Sequence, residues 1–205
     1  GTLTGSTTQT VNYNGSGTAV EAVPNTGYHF VNWSDGGTTN PRTDVNVTSN
    51  KSVTANFAID TFTLNYTAGD HGSLSGEASQ TVEYGADGTV VTAVPDTGYH
   101  FVNWSDGSTA NPRTDVNVTA DLNVTANFAI DTFTLNYTAS DHGSLSGEAS
   151  QTVEYGNNGS QVTAVPATGY HFVDWSDGSE ANPRTDANVT ANIDVTANFD
   201  ESLQE

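Results

Sequence analysis

Tyr99, Phe101 and Trp104 crowd into the stretch TGYHFVNWSDG (residues 97–107), with His100 among them and Asp106 just beyond. Exposed, coplanar rings at Tyr99 and Trp104 would form a platform for stacking on a sugar. An imidazole beside a carboxylate could move a proton or hold a metal. The stretch recurs at residues 26–36 and, with Asp174 for asparagine, at 168–178. The candidate glycan platform is therefore made three times, by Tyr28 and Trp33, Tyr99 and Trp104, and Tyr170 and Trp175.

A second reading competes with the first. Strand alternation puts His100, Val102 and Trp104 on one face and Tyr99, Phe101 and Asn103 on the other. A two-layer β module must bury one face, and few other large apolar groups exist to do so. Core strand, with Asp106-Gly107 closing a hairpin, is the favoured reading. A core is needed in every copy of a module, whereas an active site is not. No serine sits in a nucleophile elbow, and no enzyme activity is expected.

The histidines do not add up to a metal centre. His29, His100 and His171 recur once per copy, and His71 and His142 follow Asp70 and Asp141. Zinc requires three or four converging ligands, and DHG reads first as a turn. No cofactor is expected. The 24 Asp and Glu leave room for weak structural calcium, although neither the EF-hand pattern nor the nonapeptide calcium repeat occurs. Arg113 should pair with Asp115 or Asp106, or stack on Trp104. Lys51 is the only lysine, which rules out a Lys–Asn isopeptide crosslink in every copy.

Four Lys and Arg against 24 Asp and Glu give a formal charge of −20. Such a surface repels nucleic acid and anionic lipid, which are bound by neutralising phosphates. No stretch approaches the roughly 20 apolar residues of a membrane helix, so no membrane insertion is expected. Cysteine is absent, which excludes disulfides and thiol chemistry and suits an extracellular chain. The 34% hydrophobic content is low, with Thr, Asn, Ser and Gly in its place. That is the composition of short strands and tight turns. Of eleven Asn-x-Ser/Thr sequons, several, such as Asn65 and Asn123, fall on expected strands.

The elements follow from a repeat. Trp33, Trp104 and Trp175 stand 71 residues apart, as do Pro24, Pro95 and Pro166, and Arg42, Arg113 and Arg184. Residues 61–128 and 132–199 differ at twelve positions. The expected division is 1–58, 59–129, 130–200 and a tail at 201–205. The first copy has no counterpart of TFTLNYTAGDH ahead of Gly1, which suggests a piece of a longer protein. It also raises a sharper idea: that strand could be accepted from another chain, so that copies self-assemble.

Within one copy, FTLNY alternates Phe62, Leu64 and Tyr66 against Thr63 and Asn65, which predicts a half-buried strand. SLS (73–75), QTVEY (80–84), TVVTAV (89–94, ended by Pro95), YHFVNW, RTDVNVT and LNVTANF are the other expected strands. GEASQ could form at most one helical turn. The fold class is all-β and mainly antiparallel. The join FAID (128–131) lacks Gly and Pro, so small interfaces at Ile59 and Ile130 should make an elongated, semi-rigid rod.

The order TFTLNYTA…HGSLSG…QTVEYG…VVTAVPDTGYHFVNWSDG…NPRTDVNVTADLNVTANF resembles the divergent InlB B-repeat domain of bacterial surface proteins. Its T-A-x-P-x-x-G-Y-x-F-x-x-W-S core falls on Thr92–Ser105 and its V-T-A-N-F close on Val124–Phe128. Glu21 replaces the threonine in copy one. The resemblance implies small β-rich modules, some β-grasp-like, arrayed in secreted or surface-anchored prokaryotic adhesins. It carries no catalytic residues. Spacer or stalk is the implied role, with neighbouring repeats as partners. The alternatives are a module binding surface glycan or protein through the repeated aromatics, and a filament subunit built by strand donation.

Overall fold

The structure, a computed structural model, describes residues 1–202. The first repeat carries β1 (Thr2–Gly5), β2 (Val20–Val23), β3 (Tyr28–Trp33) and β4 (Ala55–Ile59). The second has β5 (Thr61–Ala68), β6 (Gly72–Gly76), β7 (Ser79–Glu83), β8 (Val91–Pro95), β9 (Tyr99–Trp104) and β10 (Leu122–Ile130). In the third lie β11 (Thr132–Ala139), β12 (Gly143–Ser146), β13 (Ser150–Glu154), β14 (Thr163–Pro166), β15 (Tyr170–Trp175) and β16 (Ile193–Glu201). Among the described residues the fold is all-β, and GEASQ takes no helical turn but leads directly into β7.

Two units can be distinguished. One comprises Gly1–Thr67, Leu74–Thr92 and Ala110–Thr125; the other comprises Ala68–Ser73, Ala93–Thr109 and Ala126 onward. The first unit holds the whole first repeat, where β1 pairs antiparallel with β2 and β3 with β4. There too β5 lies between β7 and β10, pairing antiparallel with β7.

The second unit contains the complete third repeat, whose sheet runs in the order β13-β11-β16-β15. Its centre is β11 alongside β16, the first strand of the repeat parallel to the last. Parallel neighbours need a long crossover, and here the crossover is the rest of the repeat. The flanking pairs and the β12–β14 ribbon are antiparallel. Leu135, Tyr137, Val162, Ala164, Trp175, Val189, Val195 and Ala197 form the core.

Two sequence expectations change. RTDVNVT makes no strand: Arg113 pairs with Val91 through two backbone hydrogen bonds, and Asn117 then turns to φ 50°. That left-handed turn breaks the extended backbone a ladder needs. Asp106-Gly107 does turn, with the Gly107 N–H donating to the Trp104 carbonyl at 2.8 Å. It closes no hairpin, however, because β9 pairs with β10 beyond the long loop that follows. At the end of the third repeat β16 runs to Glu201, which pairs with Tyr170; residues 203–205 of the expected tail lie outside the described residues.

The aromatic strand breaks its own alternation. In the register of β15 on β16, Phe172 faces Phe199 and Asp174 faces Asn198, leaving Val173 as an extra residue. The same bulge occurs at Val102 and Val31. One extra residue flips the strand's parity. Phe172 and Trp175 therefore turn to the same side, ring centroids 5.9 Å apart, while Val173 stays 42% exposed. Leu135→Ala is expected to cost about 2–5 kcal/mol by opening a cavity, whereas Val173→Thr should change stability by less than about 0.5 kcal/mol. Thermal unfolding of the two variants checks this contrast.

Candidate functional site: the aromatic strand and the repeat junction

The tryptophans of the suspected platform are inside. Trp33, Trp104 and Trp175 are 2%, 0% and 0% exposed. That corrects their place in a glycan platform, since a buried indole offers no ring face to a sugar. The indole N–H of Trp175 donates to the Ala181 carbonyl at 2.9 Å, as a buried N–H requires. Of the tyrosines, Tyr28 is 44% exposed. Tyr99 and Tyr170 are half-buried and stack on His71 and His142, at 4.2 and 4.1 Å between centroids. Those two histidines sit in DHG turns at φ 67° and 73°.

The indoles of Trp33 and Trp175 are each capped by an arginine. The Arg184 guanidinium carbon lies 5.5 Å from the Trp175 ring centre, within cation–π range. Its fork donates to Asp186 from Nε at 2.8 Å and Nη2 at 2.7 Å, and Nη1 donates to Asp177 at 2.9 Å. The Tyr137 hydroxyl donates to Asp186 Oδ2 at 2.7 Å, and its ring meets Trp175 edge-on. In the first repeat, Arg42 repeats the arrangement on Trp33 with Asp35 and Asp44. In the first unit, Arg113 forks onto Asp115, which also accepts from Tyr66. A buried cation costs several kcal/mol unless fully paired, and these are held by planar, charge-assisted bonds.

The pairing reshapes the local titrations. Hydrogen bonds from Arg42, and after them the Gly37 amide, hold the Asp35 carboxyl down to about 2. Arginine hydrogen bonds likewise depress Asp44, Asp177 and Asp186. Burial, and next the hydrogen bond to Asp115 or Asp186, pushes the Tyr66 and Tyr137 hydroxyls up. These four aspartates are thus occupied by arginine. No three His, Cys, Asp or Glu side chains converge on a metal position among the described residues.

A second cluster lies where one repeat meets the next, and the motif reading missed it. In the second unit a single residue, Asp131, separates β10 from β11. Its N–H donates to the Gly98 carbonyl at 2.8 Å, and its own carbonyl accepts from Tyr155 at 2.9 Å. The Asp131 carboxylate meets His100 Nδ1 at 2.8 Å. Gly98, at φ 81°, lies under the Tyr155 ring, where a Cβ would overlap it. The first unit has the same set in Gly27, His29, Asp60 and Tyr84, with His29 and Asp60 2.7 Å apart. A signal existed: Tyr84 and Tyr155 share the repeat spacing, and Asp60 and Asp131 give way to Ser202 in the third copy.

Comparison with known proteins follows the repeat. The family model described as the divergent InlB B-repeat domain matches residues 1–61, 62–132 and 133–203. No curated protein matches the chain. Among solved structures, it is similar to Streptococcal High Identity Repeats in Tandem (SHIRT) domains 3-4 from a cell surface protein. The identity is 12%, over 69% of this chain and 98% of that one, with a TM-score of 0.25. That likeness is too distant to carry an argument.

The charge clusters set a pH window. A carboxylate whose folded pKa is lowered stabilises the fold above its unfolded value of about 4. For Asp35 that contribution disappears as pH falls from there to about 2. A raised phenol stabilises fully below its unfolded value of about 10, and the contribution is lost as pH climbs through the folded value. The melting temperature should hold between these limits and fall on both sides. Tyr137→Phe should cost about 1 kcal/mol and make the alkaline fall shallower, as read by calorimetry across pH.

Proposed function

This chain belongs to the divergent InlB B-repeat family, and from that premise we propose that it is a non-enzymatic spacer. In this reading the repeats form part of the stalk of a secreted or cell-surface prokaryotic protein of the adhesin kind, each adding reach. One observation carries the reading. The join between repeats is one residue long, bonded through its backbone on both sides, with Tyr155 packed over Gly98. Flexible linkers are Gly- and Ser-rich and make no such contacts. A net charge of −20 would keep parallel copies apart and soluble.

An adhesive module is the second reading, favoured only by the exposure of Tyr28. Specific capture of a glycan on an array, lost on Tyr28→Ala, would support it.

The spacer reading rests on the junctions being stiff. Gly98→Ala would place a methyl in the Tyr155 ring at φ 81°. Gly169→Ala imposes the same backbone strain at φ 87°, with nothing within 4 Å. The shared cost is about 1–2 kcal/mol, and the Gly98 change should add about 1–3 kcal/mol of overpacking. Small-angle scattering should show a narrow distance distribution for the native chain and a broader one for Gly98→Ala. Freely jointed repeats in the native chain would defeat the spacer reading.

A further inference from the structure

The eleven Asn-x-Ser/Thr sequons share one motif, and the fold sorts them by where it places the asparagine. Five lie within strands: Asn32 in β3, Asn65 in β5, Asn103 in β9, Asn123 in β10 and Asn136 in β11. There the backbone is extended, and the amides bond to side chains of the adjacent strand. Asn65 Nδ2 donates to Asn123 Oδ1 at 3.0 Å, and Asn136 Nδ2 donates to Asp194 Oδ1 at 2.8 Å. Asn32 and Asn103 accept from Asn56 and Asn127.

Three of the other sequons occupy one position of the repeat. Asn46, Asn117 and Asn188 stand 71 residues apart, in DVNVT twice and DANVT once. All three are exposed and turn to left-handed φ values of 51°, 50° and 50°. The valine after each asparagine anchors the turn. The Val118 N–H donates to the Ala86 carbonyl at 2.9 Å, and its carbonyl accepts from the Gly85 N–H at 2.7 Å. Val189 bonds in the same way to Asn157 and Gly156, and Val47 to Gly15 and Asn14. Val118 and Val189 are buried, while Thr119 and Thr190 beyond them are exposed, as is Thr48. Asparagine and threonine therefore stand outside a fixed valine.

The turn accounts for the asparagine but not for the threonine. Asparagine enters the left-handed region more readily than most residues. Among the described residues no hydrogen bond engages the Thr48, Thr119 or Thr190 hydroxyl, yet a threonine follows two places after the asparagine in every copy. A hydroxyl at that place is what an N-glycan acceptor requires, and an acceptor belongs on a surface loop.

We propose that Asn46, Asn117 and Asn188 are acceptor sites for N-linked glycan, one in each repeat. In the transfer, Nδ2 attacks C1 of the first sugar of a lipid-pyrophosphate-linked oligosaccharide. The N–C1 bond forms and the C1–O bond to pyrophosphate breaks. Lipid pyrophosphate leaves with the electron pair, and the amide releases a proton. The glycan then projects from an exposed turn whose buried valine is untouched, so each repeat carries it without unfolding. The proposal rests on the reading of the chain as exported.

The folded full chain, incubated with an oligosaccharyltransferase that reads Asn-x-Ser/Thr and with its lipid-linked donor, tests the sites directly. Peptide mapping by mass spectrometry should place glycan on Asn46, Asn117 and Asn188 and leave the five strand asparagines bare. Chain unfolded beforehand should gain glycan on the strand asparagines as well. Thr119→Ala should lose the glycan at Asn117 alone with no change in melting temperature, and Thr119→Ser should keep it. A folded chain bare at all three sites would overturn the proposal, as would equal modification of its strand asparagines. A lower melting temperature for Thr119→Ala would also overturn it, by giving the threonine a structural role. Fractionating the cells that make the chain separates this proposal from the reading beneath it. A bare chain outside the cell faults only the sites, and an intracellular chain faults both.

Discussion

The third repeat is organised around one enclosed indole. Trp175 lies at the end of the bulged strand, under the Arg184 guanidinium and against the edge of Tyr137. A unit this small buries a modest share of its surface, and with 34% hydrophobic residues it has little else of that size to bury. The arginine is held by Asp177, just after the strand, and by Asp186, well into the following loop. Tyr137 brings in the first strand of the repeat. One cluster therefore ties first strand, aromatic strand and long loop together. Loss of any member leaves a buried charge or an open indole.

Around that cluster, polar side chains act where other folds would use strands. The Asn182 amide exchanges two hydrogen bonds with the Ala164 backbone at 2.9 Å, imitating a ladder partner for β14. Gln151, 5% exposed, makes three bonds that fix the loop after β13. Buried amides of this kind stabilise only when every polar atom is satisfied. The low apolar content is thus matched by side chains that close the backbone's hydrogen bonds without adding apolar bulk.

The repeat, its period, its strand-rich character and most strand positions were legible in the residues, because alternation and turn chemistry are local. FTLNY alternates and pairs as its pattern says, and the proline at 95 or 166 ends its strand. RTDVNVT misled because its alternating Val and Asn mimic a strand while Asn117 sits at φ 50°. The role of Tyr155 was hidden because its partner, Gly98, has no side chain to suggest a contact. Arginine's partners were narrowed to two aspartates, and at Arg42 and Arg184 the structure uses both along with the indole.

By itself the sequence determined a threefold acidic β module and placed its aromatics at a fixed position in each copy. Only the tertiary structure decided which way those aromatics face. Strict alternation sets Phe172 and Trp175 on opposite sides, yet both turn inward because Val173 is an extra residue against β16. A bulge belongs to the pairing of two strands that are distant in sequence, so no local pattern records it.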